Sequence, residues 1–384
     1  MLIHTNEKAT PFEFTGRGGE YFRIWIVNIV LTLLTLGIYS TWATVRKRRY
    51  FYGNTRLEGA EFEYLATPWM ILRGRLIAIA VLILYFVLVQ FYPLAAGILA
   101  VLLILAMPWI VWNSMRFQIR MSQYRNVRFS FNGRLRPVYF YMLILPFIPV
   151  LILAAVGAAL YFSSLVDPGR IAPLAGLGLL SVYLIIPLIQ AKIANYYINH
   201  VAFGQGKFAA TITSGTYYMT YLKVFLIFML VIVASGYIGF LVLGKGLFTG
   251  MQAQQMPESG MLGVFGWIYL LFILFGIWLR AYVGVKIRNY LFDSTNLDKN
   301  LQLHSAMKVT GLFGVYLGNI ILLIVTLGLA YPWTAVRIAR YKINNTFALI
   351  EGNLSKYVTK QQEYQSAIGD ELGDALDFDM DIAL

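Results

Sequence analysis

Asn28-Ile-Val-Leu-Thr-Leu-Leu-Thr-Leu-Gly37, followed by Trp42, Arg46, Arg49-Tyr50 and Asn54-Thr55, is the stretch on which the fold turns. It recurs near the other end of the chain as Asn319-Ile-Ile-Leu-Leu-Ile-Val-Thr-Leu-Gly328, Trp333, Arg337, Arg340-Tyr341 and Asn345-Thr346, at a constant offset of 291 residues. Self-similarity of this kind marks a repeat architecture. Partial copies lie between: Lys192, Asn195-Tyr196 and His200-Val201 match Lys286, Asn289-Tyr290 and Ser294-Thr295. A weaker copy ends at Asn126-Val127-Arg128-Phe129. Several copies lead into an alternating, turn-rich stretch such as Ala60-Glu-Phe-Glu-Tyr64 or Val127-Arg-Phe-Ser-Phe-Asn-Gly133. These read as small strands or hairpins at a membrane surface.

The membrane follows from composition. Of 384 residues, 59% are hydrophobic and 13% charged, where a soluble domain carries about 25% charged. A soluble chain this apolar would expose large greasy patches. Charge-free windows run 24–45, 76–115, 137–166, 171–191, 224–244, 259–279 and 309–336. A crossing helix needs roughly 20 apolar residues, so most windows read as single spans. The window 76–115 holds two, broken at Gln90-Phe91-Tyr92-Pro93, because proline cannot continue a helix. Residues 1–22 are polar and lack the apolar run of a signal peptide.

The repeat decides how the first and last windows cross. As single spans they would put the two matching basic segments on opposite faces, with Arg337, Arg340, Lys342, Lys356 and Lys360 outside, against the positive-inside tendency. Hairpins broken at Thr35-Leu-Gly-Ile-Tyr-Ser and Thr326-Leu-Gly-Leu-Ala-Tyr-Pro332 remove the conflict, with glycine ending each first arm. Twenty-nine of the thirty-one cations then lie at one face or on the helix ends leading into it. The fold expected is an all-α polytopic membrane protein of about 8–10 membrane segments, with internal repeats and short surface strands between helical hairpins. It comprises a cytoplasmic segment 1–22, a membrane domain 23–358 with hairpins 23–56, 69–125, 137–201, 217–293 and 310–347, and an acidic, disordered tail 359–384. Both termini are expected in the cytoplasm. Eight single spans with external termini are the alternative. Arms of about 14 residues reach only ~21 Å, short of the ~30 Å hydrocarbon core, so the terminal hairpins stay re-entrant or sit where the bilayer is thinned.

Candidate chemistry is sparse. There is no cysteine, which excludes disulfides and thiolate sites. The charge-free windows hold no carboxylate, whereas coupled carriers use intramembrane acids or histidines as relays. Zinc, phosphate-loop and serine-elbow motifs are absent, so neither metal, cofactor nor enzyme is expected. Arg46, Arg49 and Tyr50, and Arg337, Arg340 and Tyr341, fall at spacings that share a helix face. They read either as topological anchors or as an anion and lipid-headgroup site, since arginine forks onto phosphate and tyrosine favours headgroup depth. Arg280, in the apolar run Gly276-Ile-Trp-Leu-Arg280-Ala-Tyr-Val, is either a snorkelling residue or a cation lining an aqueous vestibule. Asn28 and Asn319 read as intramembrane packing partners, because buried amides need partners in lipid.

Phe12-Glu-Phe-Thr-Gly-Arg-Gly-Gly-Glu-Tyr-Phe22, Leu36-Gly-Ile-Tyr-Ser-Thr-Trp-Ala43, Asn54-Thr55-Arg56-Leu57, Tyr331-Pro-Trp-Thr334 and Asn345-Thr346-Phe347 together resemble the bacterial YjgN inner-membrane family. The likeness runs over roughly residues 10–358. It implies a bacterial inner-membrane location and a family of unknown function, and it carries no site residues across. The function expected is transport, permeation or lipid handling through basic-aromatic helix ends that contact anionic phospholipid, without nucleic acid. The alternative is a scaffold or envelope-stress protein that recruits a partner through its acidic tail.

Overall fold

The computed structural model describes residues 7–162, 168–241, 258–298, 301–352 and 354–364. Helices and strands alternate in pairs. The first strand, β1 (Glu7–Phe14), precedes the helices α1 (Gly18–Leu34) and α2 (Ser40–Gly53) and the strands β2 (Thr55–Leu57) and β3 (Ala60–Tyr64). Then come α3 (Pro68–Phe91), α4 (Pro93–Arg120), β4 (Ser122–Tyr124) and β5 (Val127–Phe131). The third pair is α5 (Leu135–Tyr139), continued through a π-turn (Phe140–Ile144) into α6 (Leu145–Phe162), and α7 (Pro168–Asn199), with β6 (Val201–Phe203) and β7 (Gly206–Ala210). Next are α8 (Ser214–Gly239), α9 (Glu258–Asp293), β8 (Thr295–Leu297) and β9 (Leu301–Ser305). The last are α10 (Val309–Val325), α11 (Tyr331–Asn344) and β10 (Thr346–Glu351), then a final helix α12 at 354–364.

The strands overturn the all-α expectation. All ten pair antiparallel into one closed barrel, in the order β1-β10-β9-β8-β7-β6-β5-β4-β3-β2, with β2 back on β1. The stretches 60–64 and 127–133 were legible as small strands or hairpins, but a strand of three to five residues with two free edges has no stability of its own. Pairing with the next hairpin supplies it. The joint between Ala9 and Leu349 or Thr10 and Ala348 spans nearly the whole chain and leaves no local trace. Two-residue turns set the β2–β3 and β4–β5 hairpins, with positive φ at Glu58 and Gly59 and at Arg125 and Asn126, the conformation that matches strand twist.

Inside the barrel, Leu57, Tyr124, Val127, Phe203, Leu297, Leu301, Ala348 and Ile350 form one buried core. The Tyr124 hydroxyl donates to the Leu57 carbonyl at 2.7 Å, and burial pushes its phenol up to about 12. The far end is closed by α12, whose Leu354 and Val358 join that core. Tyr357 donates to Asp298 at 2.6 Å, and the Gln361 side-chain oxygen accepts the Gln205 N–H at 2.7 Å. The barrel is a plugged, packed body.

Above it the helices form a ring in chain order, each packed on its neighbours, and α1 closes the ring against α11. Five described helices are long and apolar enough to cross a membrane: Pro68–Phe91, Pro93–Arg120, Leu135–Leu160, Ser214–Gly239 and Gly266–Asp293. Both terminal pairs break at the same signal, with positive φ at Leu36 and Gly37 and at Leu327 and Gly328. The segments 163–167 between α6 and α7 and 242–257 between α8 and α9, with the acidic tail beyond residue 364, lie outside the described residues.

Removing α12's apolar anchors should unplug the barrel. Truncating a buried leucine costs about 2–5 kcal/mol, more than a short terminal helix can lose. Leu354→Ala/Val358→Ala should therefore become sensitive to trypsin at Lys356 and Lys360 while the rest of the chain stays resistant. Unchanged digestion of the variant would contradict this packing.

Candidate functional site

The basic-aromatic helix ends come first, because the structure gives them partners. The Tyr50 hydroxyl accepts the Arg17 N–H and donates to the Arg17 carbonyl, both at 2.8 Å. Tyr341 does the same to Lys308, at 3.1 and 2.9 Å. Tyr290 accepts the Thr213 N–H at 2.7 Å, and Tyr196 donates to the Arg134 carbonyl. Each tyrosine thus reaches the linker that precedes its own helical pair. The residue before it reaches the linker that follows. Arg49 donates to the Ala66 carbonyl at 3.2 Å, Asn289 to Met307 at 2.9 Å, and Arg340 to Gly16 at 2.7 Å. Asn195 accepts the Ile212 N–H at 3.2 Å.

These bonds stitch neighbouring pairs together at their bases, and Arg340 closes the ring across 324 residues. Close approach requires glycine at Gly311, where a Cβ would collide with the Tyr341 hydroxyl. The α4 copy has Phe117 in the tyrosine place, and Arg116 lies over the Trp112 ring at 5.2 Å instead.

The other candidates sit differently. Arg46 is exposed and lies 5.8 Å from the Tyr39 ring centroid. Arg337 is exposed beside Gly318 of α10. Asn28 and Asn319 are buried. Asn319 donates to the Thr334 carbonyl at 3.3 Å, tying α10 to α11, while the Oδ1 atoms of both asparagines have no partner. Arg280 is exposed and lies over the Tyr316 ring at 5.6 Å.

Tyr316 leads to the residues that sequence reading passed over. A cavity of about 430 Å³ is lined by Gln190, Tyr221, Arg288, Tyr316 and Lys342, with Val283, Ile287, Leu291, Phe292 and Leu312 as its apolar wall. The five helices α7 to α11 contribute, so it opens on the inside of the ring. Arg288 and Phe292 also line a second space of about 260 Å³ with Phe12, Phe62 and Leu303 of the barrel strands. The two spaces meet at the barrel mouth.

Arg288 stacks 4.1 Å from the Phe292 ring centroid and donates to Thr346 Oγ1 at 3.0 Å, while its buried Nε has no partner. Burial, then the charges of Arg288 and Arg280, hold the Lys342 ammonium below its usual range. Tyr221 donates to Gln190 Oε1 at 2.7 Å. Among the described residues, no carboxylate lines the cavity. Arg288 and Lys342 escaped notice as site residues because the copies are not uniform there: Arg288 aligns with Arg48 but also with Ala339, and Lys342 with Leu291 and Phe51.

The bacterial protein family of unknown function DUF898 matches residues 9–375. The inner membrane protein YjgN of Salmonella typhimurium is 30% identical over 358 residues, covering 89% of this chain and 88% of that protein. Inner membrane protein YjgN of Escherichia coli K12 is 24% identical over 383 residues, covering 93% and 94%. No solved structure matches the chain.

The stitches predict a stability effect. Tyr341→Phe takes the partner from the Lys308 N–H, while the Lys308 carbonyl keeps the Leu312 N–H; a buried group left unpaired costs about 1–3 kcal/mol, and less where water reaches it, as here. Thermal unfolding in detergent should show a lower midpoint for Tyr341→Phe and Tyr50→Phe, and none for Phe117→Leu beyond a packing loss. Equal midpoints for wild type and Tyr341→Phe would remove the stitch from the account.

Proposed function

The chain belongs to the bacterial DUF898 family, and we propose that it handles anionic lipid in the inner membrane. In this reading a phospholipid phosphate is held by Arg288 and Lys342 over the apolar mouth of the barrel. One observation carries it: two cations share a partly buried cavity that no described carboxylate lines. Like charges in such a space raise the energy of the fold, and an anion from outside lowers it. Phosphate suits the donors, since a guanidinium can offer it two parallel hydrogen bonds and an ammonium adds a point charge.

The walls favour lipid over free phosphate. Val283, Ile287, Leu291 and Phe292 give an acyl chain an apolar surface beside the cations. The barrel beneath is filled by its own side chains and closed by α12, which favours lipid handling over permeation along the barrel axis. Arg46, Arg337 and Arg280, exposed near the same base, supply peripheral headgroup contacts. Arg49 and Arg340 each spend a donor on a linker carbonyl and contribute mainly charge. The concentration of cations on this face supports a cytoplasmic barrel and cytoplasmic termini. The scaffold reading rests on the acidic tail, outside the described residues.

Native mass spectrometry of detergent-extracted protein tests this. Each charge-assisted contact is worth about 1.5–3 kcal/mol, so Arg288→Gln/Lys342→Gln should lose phosphatidylglycerol or cardiolipin by tenfold or more in retention. Arg46→Gln/Arg337→Gln should lose little. Undiminished lipid on the Arg288→Gln/Lys342→Gln protein would overturn the reading, and loss of bound inorganic phosphate alone would assign the site to a free anion.

A further inference from the structure

The first and last helical pairs are shorter than those between them. α1 and α10 have 17 residues, and α2 and α11 have 14, heights of about 25 and 21 Å at 1.5 Å per residue. By contrast α3, α4, α8 and α9 have 24, 28, 26 and 36 residues, or about 36 Å and more. All five pairs rise from one base. In each, a single residue separates the second helix from its barrel strand, and three residues separate the preceding strand from the first helix. The two short pairs pack side by side through α1 and α11. One sector of the ring wall therefore stops roughly 10 Å below the rest, by the same rise per residue.

The tips of that sector suit hydrocarbon. Leu36 is 95% exposed and Leu327 93%, with Leu33, Leu34, Ile324 and Val325 exposed below them. Neither Thr35-Leu-Gly-Ile38 nor Thr326-Leu-Gly-Leu329 contains a charge. The N–H groups of the turn are also all paired. The N–H groups of Thr35, Leu36, Gly37, Ile38 and Ser40 bond to carbonyls of Leu31, Leu33, Thr32, Thr35 and Gly37, and the Tyr39 N–H bonds to the Thr35 hydroxyl. The second tip repeats the set from Thr326 to Tyr331, with the Thr326 hydroxyl accepting the Ala330 N–H. Water makes no such demand on a turn, whereas in lipid each unpaired group costs several kcal/mol.

From height, apolarity and backbone pairing together we infer that both tips end inside the hydrocarbon and that the low sector is a lateral opening in the ring. Through it a phospholipid acyl chain reaches the central cavity from the bilayer. Lys342 stands on α11, in the low wall itself, so a phosphate beside it can leave its chains trailing over the tips. A groove of about 380 Å³ between α1, α2 and α11, lined by Trp25, Ile29, Thr32 and Leu33 with Lys47 at its side, offers a chain a seat in this sector. The identity of the headgroup ligands rests on the proposed function; the placement of the tips does not.

The chain has no cysteine, so single cysteines report position directly. In phosphatidylglycerol-containing vesicles, a membrane-impermeant maleimide should label Tyr92→Cys, at the tip of the long α3–α4 pair, from the face opposite the barrel. Leu36→Cys and Leu327→Cys should stay unlabelled from both faces until the protein is denatured. A bimane fluorophore at either should be quenched at least twofold by lipids brominated near the chain ends. Labelling of Leu36→Cys at the Tyr92→Cys rate would overturn the inference. For the opening, p-benzoylphenylalanine in place of Tyr316 should capture an acyl chain on illumination, and no capture would overturn that part. Tip burial should be unchanged in Arg288→Gln/Lys342→Gln, so failure of the headgroup site and failure of the re-entrant tips read out separately.

Discussion

Everything above the barrel depends on the pairing of β1 with β10. A strand edge is a row of unpaired donors and acceptors, and each hairpin here offers two short ones. Four hairpins flanked by the single strands β1 and β10 still leave two edges, at the first and last strands. Joining Glu7–Pro11 to Phe347–Glu351 removes both. Once the strands close, each helical pair has a fixed place around a circle, because every pair is tied to its strands by the same short linkers. Tyr50, Tyr196, Tyr290 and Tyr341 then hold pairs to their linkers, and Arg340 repeats the closure one layer higher.

A ring built this way has an inside, and the inside is where the unusual charges are. Most cations sit on exposed helix ends or bond to linker carbonyls, as expected of residues that mark topology. Arg288 and Lys342 differ because they face a shared cavity without a described carboxylate. The position of Lys342 on a short helix links that cavity to the low part of the wall. Headgroup binding and lateral access are thus two consequences of one geometry, with short hairpins meeting where the ring closes.

The membrane helices were legible because charge-free length and hydropathy are local properties, as at Pro68–Phe91 and Pro93–Arg120. So were the turns at Gly37 and Gly328, where glycine must take a positive φ. The barrel was not. Thr55–Leu57 and Thr295–Leu297 are each three residues long, and their partners are set by closure rather than by any pattern within a strand. The basic-aromatic motif was visible, but its tyrosines and arginines bond the protein's own backbone, and spacing alone does not distinguish a linker carbonyl from a phosphate oxygen. The cavity cations were hidden for the opposite reason. Ala339 stands in place of Arg288, and Leu291 and Phe51 in place of Lys342, with only Arg48 repeating a cation, so comparison of the copies draws the eye away from them.

Closure of the barrel can be measured in a chain that lacks cysteine. Ala9 faces Leu349 across the β1–β10 joint, and Leu349 faces Gln302 on its other side. Antiparallel partners lie about 4.5–5.5 Å apart at Cα, within disulfide range; two strands apart is roughly 10 Å, beyond it. Oxidation of Ala9→Cys/Leu349→Cys in membranes should give a circularised species of altered electrophoretic mobility, and Ala9→Cys/Gln302→Cys should give none. Failure of the first pair to join, or equal joining of both, would contradict a closed barrel and with it the ring that the barrel holds.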